Sequence, residues 1–298
     1  MSDWVKVPSY AKVNLGLIVH GRRDDGYHSI ESIFQTISLH DWLYFTREGE
    51  GIEVSSDNEK VPSGHSNLVY KAANMFGEWA GEELGLRIRI EKTIPIEAGL
   101  GGGSSNAAVT LMTLNRLFKY PLSEDKLVRI ARKLGSDVPF FLQGGTAYVT
   151  GRGEKIEWWV DIPELYFLLV VPPFGVPTKK AYSLWDENVN KTLTNKKLNT
   201  ILKLLINNEK RVIKDLKNSL EEVVIEEYPQ IGYIKERLEK FNPINVLMSG
   251  SGSTVFAIFG SESEVSNAWE ILHGGFLVLS SKTISREEHL NLLKVKED

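Results

Sequence analysis

The chain has 298 residues, of which 42% are hydrophobic and 25% are charged, and it carries a net charge of −4. The length allows two domains, the composition is typical of a globular protein, and the lack of a basic cluster argues against a nucleic-acid partner. The sequence contains no cysteine, which excludes disulfides and thiolate zinc sites and favours a cytoplasmic protein. No apolar run approaches the roughly 18 residues of a membrane span, so no membrane association is expected.

The first predicted strand covers residues 5–19, where apolar side chains recur on one parity. Lys12 and Asn14 lie on its other face, which is either solvated or turned toward a cleft. The turn that follows contains Tyr27 and His28. A wet surface loop would explain this composition, but an aromatic ring beside an imidazole would also suit a planar heterocycle.

Residues 30–91 are predicted to contain two strands and one helix. Residues 30–45 alternate loosely and are typical of a strand, whereas residues 48–62 are polar and rich in turn formers. Apolar side chains at helical spacing predict a helix over residues 68–84. Residues 86–91 alternate apolar and charged side chains, which predicts a half-buried strand.

A glycine-rich stretch at residues 95–108 separates that strand from another predicted helix. Four glycines fall within residues 99–103, and Ser104 or Ser105 is expected to cap the helix. Backbone N–H groups at a helix start bind anions, and glycine lets them approach closely, so the stretch predicts a phosphate site. A flexible surface loop is the alternative. The lysine of the Walker loop and the third glycine of the dinucleotide fingerprint are both missing.

A further predicted helix begins after Ser123 and ends at Gly135. Asp137 follows almost at once, where a turn residue or a helix cap is the ordinary interpretation. Apolar residues over positions 140–149 predict core and strand. The glycines at 151 and 153 predict a domain boundary.

The second half predicts five segments in this order: a strand at 165–171, a proline-rich break at 172–178, a charged helical region at 193–241, and apolar strands at 245–248 and 254–259. A serine-glycine loop at 249–253 joins the last two strands. Its composition alone indicates a hairpin connection rather than a site.

Taken in order, several of these segments resemble the motifs of the GHMP small-molecule kinases. The matching segments are residues 9–17, 26–28, 95–108, 134–139 and 248–256. The resemblance implies an α/β (α+β) fold, the two-domain GHMP kinase fold, with the active site in the inter-domain cleft. It also implies an N-terminal ATP-binding domain at residues 1–155 and a C-terminal domain at residues 156–298.

The motifs match best those members of this family that act on a cytidyl-diphosphate sugar alcohol. A molecule of this kind is thus the implied small-molecule partner. The implied reaction moves the γ-phosphoryl group of ATP to the 2-hydroxyl of a methylerythritol unit, on the methylerythritol phosphate route to isoprenoid precursors. Mg²⁺ is expected to help neutralise the phosphates. The implied catalytic residues are Asp137, which would accept the hydroxyl proton, and Lys12 beside it.

The same resemblance implies the binding residues. Tyr27 and Tyr182 would sandwich the cytosine and His28 would bind its edge, while Asn14 and Thr178 are further substrate-binding candidates. The residues implied for ATP are Asn67, next to the adenine, and the phosphate-loop residues Pro95, Ile96, Glu97, Ala98, Gly99, Leu100, Gly101, Gly102, Gly103, Ser104 and Ser105.

Three positions depart from the pattern of the family. Tyr10 stands where proline is usual, Glu97 where a small residue is usual, and Ser219 where aspartate is usual. A carboxylate at position 97 must point away from bound phosphates or hold a cation. Two alternatives stay open: a GHMP kinase for galactose, homoserine or mevalonate, and a non-catalytic ATP sensor on the same fold. Tyr27 and His28 argue against the first, and the catalytic pair argues against the second.

Overall fold

The computed structural model describes residues 4–188, 197–272 and 276–291. The strands in these ranges are β1 (Val5–Arg22), β2 (His28–Thr46), β3 (Ile52–Ser56), β4 (Leu86–Glu91), β5 (Thr146–Gly151), β6 (Lys155–Trp158), β7 (Tyr166–Val171), β8 (Asn245–Met248), β9 (Val255–Phe259) and β10 (Leu277–Lys282). The α-helices are α1 (Leu68–Ala80), α2 (Gly102–Leu117), α3 (Glu124–Leu134), α4 (Thr178–Glu187), α5 (Leu198–Ile206), α6 (Glu221–Glu227), α7 (Pro229–Glu239), α8 (Glu262–Leu272) and α9 (Arg286–Asn291).

Two sheets organise these elements. The first has the order β3-β4-β2-β5-β6, with β1 paired to β2 outside this path. β1 and β2 form a long antiparallel pair that runs from Val5 opposite Phe45 to Arg22 opposite His28. The second sheet is antiparallel, in the order β10-β7-β9-β8. The turn between β1 and β2 therefore carries Tyr27.

β1 is buried on both faces from Ala11 to Val19 and on one face near its start. Val7 belongs to a cluster with side chains of α1 and α2. Val13 belongs to a second cluster that includes Phe167 and residues of α5. Lys12 and Asn14 are consequently only 4% and 3% exposed. Of the two interpretations that the sequence allowed for these polar residues, the solvated one is wrong.

Most predicted elements are confirmed, and the exceptions depend on contacts between distant segments. The turn-rich connection predicted at 48–62 contains β3, which forms because its residues pair in parallel with β4. β6 was not predicted and pairs with β5. The predicted helical region is divided into α5, a 3₁₀ segment (Lys210–Asp215), α6 and α7. Its residues 193–196 lie outside the described residues.

The prediction that Ser104 or Ser105 caps the glycine-rich helix is wrong. α2 begins at Gly102, and its N-cap is Gly101, whose φ of 71° glycine adopts without strain. Both serines lie inside the first turns of the helix. The hydroxyl of Ser105 instead accepts a hydrogen bond of 2.8 Å from Ser9 on β1.

The predicted division of the chain between residues 155 and 156 stays a prediction, and the first sheet extends to Trp158 through β6. In the three described ranges, no helix has both the length and the apolar character that a membrane crossing needs.

The last described helix, α9, returns to the first half of the chain. The imidazole of His289 is 1% exposed, and its Nε2 lies 2.8 Å from the carbonyl oxygen of Phe141. Gly144 makes this contact possible, since a Cβ there would lie 2.3 Å from the Cγ of His289. Burial lowers the pKa of His289 from 6.5 to about 4.

His289 is therefore expected to make the protein less stable in mild acid. The unfolded chain takes up a proton below pH 6.5 and the folded chain does not, so stability is lost as the pH falls from 6.5 toward 4. The loss approaches about 3 kcal/mol. Denaturant unfolding of the wild type and His289→Gln at pH 7 and 4.5 measures it. A difference between the two proteins that stays constant with pH would contradict the expectation.

Candidate active site

A cavity of about 690 Å³ opens where the two halves of the chain meet. The predicted site residues that line it are Lys12, Asn14, Tyr27, His28, Gly99, Gly101, Asp137, Thr178 and Tyr182. Further residues that line it are Leu17, Arg22, Gly26, Ile30, Phe34, Ser136, Arg152, Gly153, Lys179, Ser183, Asp186, Gly250 and Ser251. The fold thus gathers residues from every segment that carried the resemblance.

Lys12 is the buried cation of this cavity. Its Nζ donates a hydrogen bond of 2.5 Å to Asn14 Oδ1, lies 3.7 Å from Asp137 Oδ2 and sits 4.6 Å from the ring centre of Phe34. Burial lowers the pKa of Lys12, and the charge of Asp137 opposes that shift. The carboxylate therefore favours the charged form of an ammonium group that the protein interior disfavours.

Asn14 is held in one orientation by its neighbours. Because its Oδ1 accepts from Lys12, its Nδ2 is the donor, and it bonds to Ser32 Oγ at 2.9 Å. Ser32 in turn donates to the carbonyl oxygen of Gly16 at 2.6 Å. A chain of hydrogen bonds across β1 and β2 thus fixes the position of the Lys12 ammonium group.

Asp137 lies in the turn between α3 and a 3₁₀ segment (Phe140–Leu142). Its side chain is 32% exposed, in contrast to 5% for Lys12. The carboxylate therefore faces the cavity with one side against the buried ammonium. This geometry favours a functional role over the turn or cap interpretation, because the side chain can accept a proton from a bound molecule.

The glycine loop, residues 99–103, lies beside Lys12, since a Cβ at Gly101 would lie 3.2 Å from the Lys12 Cγ. Gly99 and Gly101 have φ angles of 77° and 71°. A Cβ at Gly99 would lie 2.2 Å from the carbonyl oxygen of Ser249, so a side chain does not fit there. α2 begins at this loop and is 16 residues long. The unpaired N–H groups and the partial positive charge at its N-terminus are therefore available to an anion.

The serine-glycine loop at residues 249–253 joins β8 to β9, as predicted, but it also packs on the glycine loop. Ser249 Oγ donates to the carbonyl oxygen of Gly99 at 3.0 Å. Asn218 Nδ2 donates to the carbonyl oxygens of Met248 and Gly250 at 2.8 and 2.7 Å. The loop therefore supports the site as well as connecting two strands.

The far end of the cavity is aromatic. His28 stacks on Tyr182, with ring centres 4.7 Å apart and an angle of 26° between the planes. Its Nε2 lies 2.7 Å from Asp186 Oδ1. Burial and the charge of Asp137 raise the pKa of Tyr182 to about 12, so its hydroxyl stays protonated at neutral pH. Tyr27 is 55% exposed, and the Arg152 guanidinium lies 4.8 Å from its ring centre.

Two sequence models match the chain, "GHMP kinases N terminal domain" over residues 67–145 and "GHMP kinases C terminal" over residues 198–276. The chain belongs to the GHMP kinase family. This membership confirms the resemblance inferred from the motifs, together with the two-domain fold and the site in the cleft between the domains.

Several proteins similar to this chain share one name. A 4-diphosphocytidyl-2-C-methyl-D-erythritol kinase of Clostridium tetani is 38% identical over 94% of this chain and 100% of its own length. A protein of the same name from Bacillus pumilus is 41% identical over 89% of this chain and 91% of its own length. A crystal structure of a 4-(cytidine 5'-diphospho)-2C-methyl-D-erythritol kinase superposes with a TM-score of 0.82, at 33% identity, over 94% of this chain and 99% of that one.

Some residues predicted for ATP lie behind the cavity surface of this GHMP kinase. Asn67 acts as the N-cap of α1: its Oδ1 accepts from Val69 N at 2.8 Å, and its Nδ2 donates to the carbonyl oxygen of Pro62 at 2.7 Å. Its contact with adenine stays a prediction. Leu100 supports Lys12 through its carbonyl oxygen, which accepts from the Lys12 amide at 3.0 Å. The predicted ATP residues outside the cavity lining are Asn67, Pro95, Ile96, Glu97, Ala98, Leu100, Gly102, Gly103, Ser104 and Ser105.

The positions that depart from the family pattern are accommodated locally. Glu97 is exposed, with a φ of 55°, and its Oε2 would lie 3.6 Å from a Cβ at Gly175. Its side chain therefore projects toward the proline-rich segment. Ser219 Oγ accepts a hydrogen bond of 3.2 Å from the Val19 amide. Tyr10 packs edge-on against His40, with ring centres 5.4 Å apart.

Sequence reasoning missed Asp186, which lines the cavity and holds His28. The signal was available: Thr178, Tyr182 and Asp186 are spaced four residues apart, so a helix places them on one face. The helix itself was not predicted, because it follows directly on the proline-rich break at residues 172–178. α4 runs from Thr178 to Glu187 and turns all three side chains into the cavity.

Proposed function

We propose that the chain transfers the γ-phosphoryl group of ATP to the 2-hydroxyl of 4-diphosphocytidyl-2-C-methyl-D-erythritol, in the cytoplasm. One observation carries the proposal. A single cavity holds a buried lysine–aspartate pair beside a glycine loop at one end and a stacked histidine–tyrosine pair at the other. The first end suits phosphoryl transfer and the second suits a flat base. The similar proteins named above act on such a substrate by their names.

At the ATP end, the backbone N–H groups of the glycine loop bind the β- and γ-phosphates. The partial positive charge at the N-terminus of α2 favours this binding. Within the described parts of the chain, no group of three or more His, Asp or Glu side chains could hold a metal ion. Mg²⁺ needs no such group, because substrate phosphates and water molecules occupy most of its coordination positions. The carboxylate of Asp137 lines the cavity and would lie near the ion. The ion would neutralise phosphate charge.

At the same end of the cavity, Asp137 accepts the proton of the attacking hydroxyl. General-base assistance of this kind contributes about 10²–10⁴-fold to the rate. Lys12, whose ammonium group lies 3.7 Å from Asp137 Oδ2, stabilises the negative charge on the transferred group. The hydrogen bond from Lys12 to Asn14 holds the ammonium group in place, so little reorganisation is needed during transfer.

At the aromatic end, Tyr27 and Tyr182 stack on the cytosine and His28 binds its edge. The base lies far from the reacting hydroxyl, so its binding energy positions the substrate without taking part in the chemistry. Binding of the base explains why the cavity has an aromatic cluster that phosphoryl transfer itself does not need. A GHMP kinase for galactose, homoserine or mevalonate would have no base to place there.

A panel assay tests the proposal. The purified protein is incubated with ATP and Mg²⁺ and with each of four acceptors: the cytidyl substrate, mevalonate, homoserine and galactose. We expect turnover of the cytidyl substrate at least about 10²-fold above the others, since only it fills both ends of the cavity. Faster turnover of another acceptor would refute the substrate, and ATP binding without any turnover would favour the sensor alternative.

Replacing Tyr27 by alanine is expected to weaken the cytidyl substrate and spare ATP. Stacking of a base on an aromatic ring is worth about 1–3 kcal/mol, so KM for the cytidyl substrate rises about 10- to 100-fold. KM for ATP should stay within about twofold, because Tyr27 lies at the other end of the cavity. Tyr120→Ala, which removes a tyrosine that is 68% exposed and outside the cavity lining, is the matched control. Equal weakening of both substrates would contradict the stacking role.

A further inference from the structure

Asp186 contacts one of the two ring nitrogens of His28. The Nε2 atom of His28 lies 2.7 Å from Asp186 Oδ1, a hydrogen-bond distance. An ionised carboxylate can only accept, so Nε2 must be the donor. In a neutral imidazole the other nitrogen, Nδ1, then has a free lone pair and acts as an acceptor.

The ring of His28 is also held in place. It stacks on Tyr182 and meets the edge of Trp185, with ring centres 5.8 Å apart and planes at 86°. Its side chain is 9% exposed, whereas that of Asp186 is 32% exposed. A flip of the imidazole would break the bond to Asp186 within this packed cluster, which opposes an exchange of the two nitrogens.

We propose that Asp186 is a specificity-determining residue: by holding His28 with Nε2 as donor, it makes Nδ1 an acceptor that selects a base with an exocyclic amino group. Cytosine presents its N4 amino group as a donor on this edge, whereas a 4-oxo pyrimidine presents an acceptor. An acceptor facing an amino group forms a hydrogen bond, and an acceptor facing a carbonyl leaves two lone pairs opposed. The inference rests on the proposed function, because it assumes that His28 meets the base.

The consequence is a preference for the cytidyl over the uridyl form of the substrate. One correctly paired polar contact discriminates by about 1–3 kcal/mol, which corresponds to about 10- to 100-fold in kcat/KM. Asp186 acts through His28 and touches no reacting atom, so its loss should change the choice of base rather than the phosphoryl transfer. The amide of Asp186→Asn can donate or accept, so His28 is no longer restricted to one tautomer.

The test compares wild type, Asp186→Asn and Glu187→Gln. Glu187 is the exposed neighbour on α4, so its variant loses the same charge without touching His28. Initial rates are measured with the cytidyl substrate and its uridyl analogue, and ¹⁵N NMR of histidine-labelled protein reports which ring nitrogen of His28 is protonated. We expect wild type and Glu187→Gln to prefer the cytidyl form, with Nδ1 unprotonated. In Asp186→Asn we expect the preference to fall at least about tenfold, with KM for ATP unchanged.

Two results would overturn the inference: protonated Nδ1 in the wild type, or a base preference that Asp186→Asn leaves intact. Equal rates with both nucleotides in the wild type would overturn it while leaving the proposed kinase activity standing. Turnover of neither nucleotide would instead refute the proposed function. The NMR measurement needs no turnover, so the hold of Asp186 on His28 is decided in either case.

Discussion

Replacing Asp137 by asparagine is expected to lower kcat for the cytidyl substrate by about 10²–10⁴-fold. The amide keeps the shape of the side chain but cannot take up the hydroxyl proton, and it no longer balances the charge of Lys12. Binding of a non-hydrolysable ATP analogue should stay near wild type, since the glycine loop binds phosphate through its backbone. Initial rates and calorimetric titration measure the two effects separately.

The control for this variant is Asp125→Asn, which changes an exposed aspartate in the first turn of α3. It should retain wild-type kcat. Full activity in Asp137→Asn would mean that the base lies elsewhere or is unnecessary. Loss of ATP-analogue binding would mean that Asp137 supports the nucleotide rather than the proton transfer.

The same variant should shift the dependence of activity on pH. Burial lowers the pKa of Lys12, and the charge of Asp137 opposes this. Without the carboxylate the pKa of Lys12 falls further. The charged ammonium is the form that stabilises the phosphoryl group, so activity is present below this pKa and lost as the pH rises through it. The alkaline limb of the residual activity is therefore expected at lower pH than in the wild type, and an unchanged limb would argue against this role of Lys12.

Local patterns were sufficient for the parts of the fold that are defined by consecutive residues. Alternation predicted β4 and helical spacing predicted α1, because each buries one face. The position of Lys12 needed more: its face of β1 is covered by residues from other segments, such as Phe34 on β2 and Asp137 after α3. A single-strand pattern cannot distinguish such an interior position from a solvated one.

The candidate site shows the same limit. The glycine loop and Asp137 were predicted because their motifs are continuous in the sequence. Asp186 was missed because its partner, His28, is 158 residues away. Motif resemblance therefore predicted residues that line the cavity, whereas the contact between Asp186 and His28 became visible only in three dimensions.

A buried ion pair next to the glycine loop is another contact between residues that are distant in the sequence. Lys92 Nζ lies 2.8 Å from Asp41 Oδ2, with side chains that are 6% and 0% exposed. Asp41 Oδ1 also accepts from the amides of Thr93 and Ile94, at 2.8 Å each. The pair thus fastens the segment that leads into the glycine loop onto β2. A Cβ at Gly102 would lie 3.0 Å from Lys92 Nζ, so the pair also borders the start of α2.

Asp41→Asn is therefore expected to lower the free energy of unfolding by about 3–5 kcal/mol, because it removes the buried carboxylate that pairs with the Lys92 ammonium. Lys92→Met should cost a similar amount. The double variant, which has no charge left at this buried site, should be less destabilised than the sum of the two single variants, and this coupling separates a charge effect from lost packing. Denaturant unfolding of the four proteins measures the cycle.

The matched control is the exposed pair of Lys282 and Glu164, which has the same separation of 2.8 Å but side chains that are 45% and 47% exposed. Solvent screens such a pair, so Glu164→Gln should cost less than about 1 kcal/mol. Loosening of the segment before the glycine loop should also raise KM for ATP in Asp41→Asn, with KM for the cytidyl substrate changed less. If Asp41→Asn costs no more than Glu164→Gln, burial does not make this pair essential, and the glycine loop is held by its contacts with β1 and the serine-glycine loop instead.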